Sequence, residues 1–466
     1  MIAWVFALGL SFTAPNDSVL QAEAFAKQVI NYHPRANQAN LYSAYADVEW
    51  LKARALTQPG ISMGYDRKTF DGKNYWNLFG TELSIPTLYG LEFYGNFDQN
   101  TGQYLNSERN VPMNGLYAGG IKVPLGNGLW QNEMRFTRSR ARLYQQNAPN
   151  QTKADLNDLL QEAMYAYWNW VEAYNIWQIN LKAAEISATQ LSVVKTSARL
   201  GDRPLIDTLE SHMQWQNRLL NANEAALHYQ KERAHLLTYI WEDELKNRFE
   251  TSSMVPPRLE NISQVNMVAD TAIEVISWRE DHPEIKQIGI AQSILQSELK
   301  YKRNQLLPKA ELKYNFLYDP NQSFQALQTI GSDYYKASLG ISFPIFMRKE
   351  RASMQYTRLK QQELNWKFLD KSRQLGQKVN AYYLDYAYGL QNVEFQNGIT
   401  KSYSQLLKAE EIRFKNGESS VFLINQRENM YFQSQVKQMS LEVKWRLALV
   451  NLHHARGDLF DKLNME

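Results

Sequence analysis

The chain has no cysteine in its 466 residues. That absence excludes disulfides, thiolate zinc sites, iron–sulfur clusters and a lipidated cysteine anchor. Excess charge is missing too: 51 Lys and Arg stand against 48 Asp and Glu, a net of +3. A nucleic-acid partner normally needs a basic stripe, so none is expected. Long hydrophobic runs are scarce. The longest, Ile2 to Leu10, covers nine residues, whereas a spanning helix needs about 20. A mean hydropathy of −0.51 argues against a polytopic helical membrane protein. Catalytic signatures are lacking as well. There is no Walker lysine loop and no G-x-S-x-G elbow, so no enzymatic activity is expected. His453-His454 lacks the spacing to a third ligand that a helical zinc site needs, so neither metal nor cofactor is expected.

Aromatic residues, by contrast, are plentiful: 27 Tyr, 19 Phe and 12 Trp make up 12% of the chain. A polar, aromatic-rich chain without a spanning helix fits a soluble protein. It fits equally an outer-membrane barrel, whose short alternating strands escape hydropathy. Length alone suggests about three ordinary domains or one elongated body. The apolar start followed by Ser11-Phe12-Thr13-Ala14 reads as a signal peptide over residues 1–14, although the first basic residue is Lys27.

An internal repeat organises the rest. His33-Pro34 recurs as His282-Pro283, and Pro59 and Pro308 each follow 25 residues after those prolines. Gly120-Ile121-Lys122-Val123-Pro124 matches Gly340-Ile341-Ser342-Phe343-Pro344. Arg199-Leu200-Gly201-Asp202 matches Lys415-Asn416-Gly417-Glu418. The expected organisation is a first repeat over 33–247, a linker over 248–281, a second repeat over 282–457 and a tail over 458–466. The equivalent placing of His33 and His282 before prolines suggests a structural turn. Between Pro59 and Pro124 the first copy carries 29 residues more than the second does between Pro308 and Pro344. Polar, turn-rich stretches there predict an extended hairpin or surface loop.

Each copy reads helix, strand, strand, long helix, turn, helix. Leu375, Val379, Tyr382, Tyr386, Leu390 and Val393 fall at helical spacing, and no proline interrupts Arg348 to Lys415. At 1.5 Å per residue such a helix spans roughly 100 Å. In the first copy Leu159, Ala163, Ala166, Trp170, Tyr174 and Trp177 repeat the stripe, and the aromatics around it are expected to serve helix packing. Strands are expected near Ile61–Tyr65, Leu78–Phe97, Leu116–Leu125, Ala310–Tyr318 and Tyr334–Phe346, with four per chain as the working count. Aromatics at their ends, among them Tyr75, Trp76, Tyr89, Phe93, Tyr94, Tyr334, Tyr335 and Phe346, suit an interfacial girdle or ordinary strand positions. Four strands cannot close a barrel alone, and an open edge is not viable in lipid, so membrane strands would require several copies.

With these motifs in this order, the sequence resembles the TolC-like outer membrane efflux protein family from about His33 to Gly457. The resemblance implies an α+β membrane protein: long α-helices forming a periplasmic helical barrel, and four strands contributed to a trimeric 12-strand outer-membrane β-barrel. It implies a homotrimer held in outer-membrane lipid, a periplasmic adaptor, and an inner-membrane RND or ABC transporter. The implied role is the exit duct of a tripartite efflux pump, with a type I protein secretion duct as the alternative. Without the resemblance, a soluble elongated helical interaction protein remains. Family ducts close at the periplasmic tip with rings of acidic side chains. Here Asp207 matches such a position, Glu210 lies one turn on, and Leu423 and Gln426 stand at the corresponding places of the second repeat. Asp207 is otherwise a solvated residue near a helix cap. The two turns, with Arg199, Gly201, Asp202, Arg413, Gly417 and Glu418, are the implied adaptor contacts. Gly201 and Gly417 suit left-handed C-caps, and Ser419 and Ser420 can cap the next helix. With no cysteine to acylate, the membrane hold is expected from the barrel alone.

Overall fold

The computed structural model describes residues 18–241, 254–257, 278–321 and 334–465. The expected signal peptide and most of the expected linker lie outside these residues. In chain order the elements are β1 (Ser18–Val19), α1 (Ala22–Tyr32), α2 (Pro34–Ala55), β2 (Gly60–Phe70), β3 (Lys73–Pro86), β4 (Glu92–Thr101) and β5 (Leu116–Pro124). There follow α3 (Glu133–Arg199), α4 (Leu205–Leu237), β6 (Met254–Val255), α5 (Trp278–Asp281) and α6 (Pro283–Asn304). The chain continues with β7 (Lys309–Tyr318), β8 (Tyr335–Ser342), α7 (Arg348–Lys415), α8 (Val421–Arg456) and α9 (Leu459–Met465). As expected, the protein is mainly helical with a small antiparallel sheet, and α7 runs the full 68 residues from Arg348 to Lys415.

Two compact units divide the chain. The sheet unit comprises Leu41–Asn150 and Glu284–Asp370. Its sheet is ordered β2-β3-β4-β5-β7-β8, with every neighbouring pair antiparallel. Pro59 and Pro308 stand immediately before the strands that follow α2 and α6, where proline cannot continue a helix.

Among the described residues the sheet has six strands where the sequence reading counts four. The extra residues of the first copy supply both expected features: the β3–β4 hairpin inside the sheet, and a largely exposed, turn-rich connection over 102–115 between β4 and β5. Asp71 (φ 48°) and Gly72 (φ 67°) turn the chain from β2 to β3. Two positive φ values in a two-residue turn define type I′, whose twist matches that of flanking strands. At the other end the Thr87 amide donates to the Leu91 carbonyl at 2.8 Å and closes the β3–β4 turn.

Register sorts the side chains onto two faces, because neighbours in a strand point opposite ways. Ile61, Met63 and Tyr65 pair with Leu83, Thr81 and Phe79. Leu83 and Ile85 pair with Gly95 and Phe93, and Phe93 with Ile121. Ile121 pairs with Tyr314, and Leu312 with Leu339. This apolar face is open: Ile61 is 79% exposed, Met63 71% and Ile341 64%. The opposite face carries Glu82, Asn96, Asp98, Lys122, Asn315 and Lys336. There the Lys122 ammonium lies 3.1 Å from Glu92 and 3.7 Å from Glu311, and Lys313 lies 3.2 Å from Glu311. Tyr94 sits on this polar face, with its hydroxyl donating to Asn315 Oδ1, so it does not belong with the girdle aromatics. In the helical part of this unit, Phe136 of α3 stacks on Tyr301 of α6 at 5.3 Å.

The helical unit comprises Met1–Asn40, Gln151–Pro283 and Lys371–Glu466. The aromatic stripe of α3 packs here as expected, with Tyr167, Trp168 and Trp170 buried. Phe25 of α1 stacks on Tyr167 at 5.4 Å, and Trp177 stacks on Tyr229 of α4 at 5.3 Å. In the second copy Tyr386 of α7 stacks on Trp445 of α8 at 5.8 Å. His33 is a turn residue: the Arg35 amide donates to its Nδ1 at 3.1 Å. Burial, with Arg35 adding, holds its pKa below the ordinary histidine range. Beyond Gly457 the chain enters α9, whose Leu459 and Leu463 are buried and whose Phe460 amide donates to Asn157 Oδ1 at 2.8 Å. Among the described residues no helix is long and apolar enough to cross a membrane.

Candidate functional site

The sequence-predicted site residues all fall in the helical unit, around the turns that join α3 to α4 and α7 to α8. Both turns are built the same way. Gly201 has φ 84° and Gly417 φ 76°. In the first, the Asp202 amide donates to the Ser197 carbonyl at 3.0 Å and the Gly201 amide to Ala198 at 3.3 Å. In the second, the Glu418 amide donates to Arg413 at 2.9 Å and the Gly417 amide to Phe414 at 3.2 Å. Each is a Schellman motif, which satisfies the last carbonyls of a helix and requires a left-handed residue. Arg199, Asp202, Arg413 and Glu418 are exposed around these caps. The Arg413 guanidinium reaches the Glu418 carbonyl at 3.5 Å.

The helices that leave the turns start differently. Ser420 caps α8, its Oγ accepting from the Leu423 amide at 3.3 Å. Ser419 does not cap: its hydroxyl donates to the buried carboxylate of Glu410 at 2.5 Å, and Arg427 lies 3.8 Å from the same group. That pair ties the turn to the preceding helix. α4 has Pro204 at its N-cap without a side-chain cap, and Asp207 occupies its first turn, where an acid complements the helix dipole.

Arg203 is the side chain that sequence reading passed over. Its guanidinium lies 4.1 Å from the centre of the Phe414 ring, joining the two turns. It also lies 3.7 Å from Asp207. Arg203 therefore places a positive charge between the acid and the second helical pair. Asp207 and Glu210 are half-buried, while Leu423 and Gln426 are exposed. Leu205, Ile206, Leu209 and Phe422 beside them are exposed apolar side chains.

A second charged cluster lies further along the same helices. Glu428 of α8 is buried, accepts from Gln190 Nε2 of α3, and has Arg218 of α4 as its positive neighbour. Burial pushes its pKa up to about 7; Glu411 adds to the rise, and Arg218 and the Gln190 bond oppose it. Arg218 sits 5.1 Å over the Phe432 ring and borders a cavity of about 480 Å³ with Ile176, Asn180, His228 and Phe432. The sequence signal for this cluster was a charge inside an apolar stripe: Glu428 continues Val421 and Ile424 toward Phe432. The described residues hold no group of three His, Asp or Glu able to bind a metal ion.

Residues 277–458 match the family described as Outer membrane efflux protein. No curated protein matches by sequence. Solved structures with the same fold include the Campylobacter jejuni CmeC outer membrane channel, at TM-score 0.66 and 12% identity, covering 97% of this chain and 90% of that one. The Vibrio cholerae outer membrane protein VceC aligns at TM-score 0.65 and 11% identity, covering 94% and 96%. The open state of the Neisseria gonorrhoeae MtrE outer membrane channel aligns at TM-score 0.66 and 12% identity, covering 94% and 88%.

Proposed function

We infer that this chain is the outer-membrane channel of a tripartite efflux pump, a reading that the match of residues 277–458 to the outer membrane efflux protein family supports. The observation that carries the reading is the sheet. One face is apolar and exposed across all six strands, and the other is polar and charged. An exposed apolar face of this extent is stable against lipid and costly against water, and a polar inner face suits an aqueous pore. The long helices are too polar for lipid and extend into the periplasm. Substrate passes through the duct passively, so no residue takes a catalytic role.

The working form is a homotrimer. It docks through a periplasmic adaptor onto an RND or ABC transporter of the inner membrane. Arg199, Gly201, Asp202, Arg413, Gly417 and Glu418 meet the adaptor, since both turns are exposed and equivalent in construction. Asp207, with Glu210, supplies the charge at the gate, while Leu423 and Gln426 line it from the second repeat. Arg203 holds Asp207 and Phe414 together and keeps the two helical pairs closed.

Fractionation tests the membrane role directly: the protein is expected in the outer-membrane fraction, and recovery as a soluble periplasmic protein overturns it. In planar bilayers the channel is expected to stay mostly shut. Asp207→Asn and Arg203→Ala should each raise the open fraction. A wide conductance that neither substitution changes removes the gate assignment while leaving the channel intact.

A further inference from the structure

Among the described residues the sheet leaves two edges open, β2 and β8, and every residue of both strands is exposed. Resting on the outer-membrane reading above, we propose that β8 of each copy pairs with β2 of the next. The barrel then takes six strands from every chain, 18 in a trimer, instead of the 12 that four per chain would supply.

Three features of the sheet support this. First, an edge in lipid leaves backbone N–H and C=O groups without partners, so both edges must be covered. Second, the strands alternate in direction through six members, so β2 and β8 run opposite ways. Each edge therefore offers the other an antiparallel partner in a head-to-tail ring, which closes without inverting any copy. Pairing β8 with β8 would instead turn one copy over and send its helices to the opposite side of the membrane. Third, the hairpin of β2 and β3 has the same division of faces as the rest. Ile61, Met63 and Tyr65 continue the apolar side begun by Tyr335, Leu339 and Ile341, while Ser62, Asp66 and Glu82 continue the polar side. A hairpin lying outside the wall in water would have no use for that apolar stripe.

Disulfide trapping in outer-membrane fractions decides the point, and the native chain has no cysteine to confuse it. Leu339→Cys is combined in turn with Ile61→Cys, Met63→Cys or Tyr65→Cys, which samples neighbouring registers on one face. Oxidation should link copies into a reducible ladder whose highest member contains three chains. A ladder that stops at two chains gives a 12-strand ring and overturns the proposal. So does a link from Leu339→Cys to Phe93→Cys, which would place β8 against β4 and exclude the β2–β3 hairpin. Absence of any link in protein that has reached the outer membrane overturns it as well. Protein found only in the soluble fraction sinks the membrane reading instead. Should the cysteine variants fail to assemble, end-on images of the unmodified protein in detergent give a second measure. An 18-strand barrel is about 1.5 times as wide as one of 12, since diameter grows roughly linearly with strand number. A 12-strand width overturns the proposal.

Discussion

Glu428 shows how one side chain couples the helical unit to pH. Its pKa is raised from 4.5 to about 7, chiefly by burial. A carboxyl whose pKa rises on folding binds its proton more tightly in the folded state. Its favourable contribution is complete below the unfolded pKa and is lost as pH climbs from about 4.5 through about 7. Across that window the loss is on the order of 3 kcal/mol at most, because one pKa unit is worth about 1.4 kcal/mol. Glu428→Gln keeps the shape and cannot ionise. Thermal unfolding of the variant is expected to match the native protein near pH 4.5 and to exceed it near pH 8. An equal offset at both values would show that the carboxyl does not titrate in this window. Arg203 acts on a smaller scale, through its position between Phe414 and Asp207. Arg203→Lys keeps the charge yet loses the planar stacking surface, so its channel is expected to be intermediate between the native protein and Arg203→Ala.

At the scale of elements, the turns are where backbone conformation decides. No atom outside the neighbouring residues lies within 4 Å of a Cβ built on Gly417, so Gly417→Ala meets backbone strain alone. A left-handed residue with a Cβ costs about 1–2 kcal/mol. Hydrogen exchange of amides near Gly417 is expected to accelerate several-fold in that variant, with the aromatic core around Trp168 unchanged. Gly417→Asn should accelerate it less, because Asn tolerates this region. Both caps were legible in the sequence, since glycine followed each periodic stretch at matching places. The full length of α7 was legible for a related reason: no proline lies between Arg348 and Lys415, and the apolar stripe continues past Gly376 and Gly389. The strand count was not read correctly, although a signal was present. Asp71-Gly72 lies between two alternating stretches and is among the strongest hairpin dipeptides. Equal copies imply two strands each, which leaves the extra hairpin outside the count of four. The Arg203–Phe414 and Arg218–Phe432 contacts were not legible at all. They join residues far apart in the chain, and no local periodicity encodes such a pairing.

For the whole molecule, the proposed channel makes the polar face of the sheet a candidate for ion selectivity. Glu92 and Lys122 face each other across β4 and β5, and Lys122 and Lys313 across β5 and β7, with Glu311 bonded to both lysines. Opposite charges directly across strands stabilise a sheet, whereas like charges do not, so Glu311 offsets the Lys122–Lys313 pair. Repeated around the proposed closed barrel, this arrangement would make a ring of alternating sign with little net field. Rings of one sign select ions and balanced rings do not. Lys122→Gln removes the central cation and leaves Glu92 without its ion-pair partner in every copy. Reversal potentials measured across a salt gradient are expected to move toward cation preference in Lys122→Gln. They should return toward the native value when Glu92→Gln is added. If the single change leaves the reversal potential unmoved, the polar face does not line the conducting path. The proposed gate at the turn joining α3 to α4, where Arg203 and Asp207 stand, would then set ion flow.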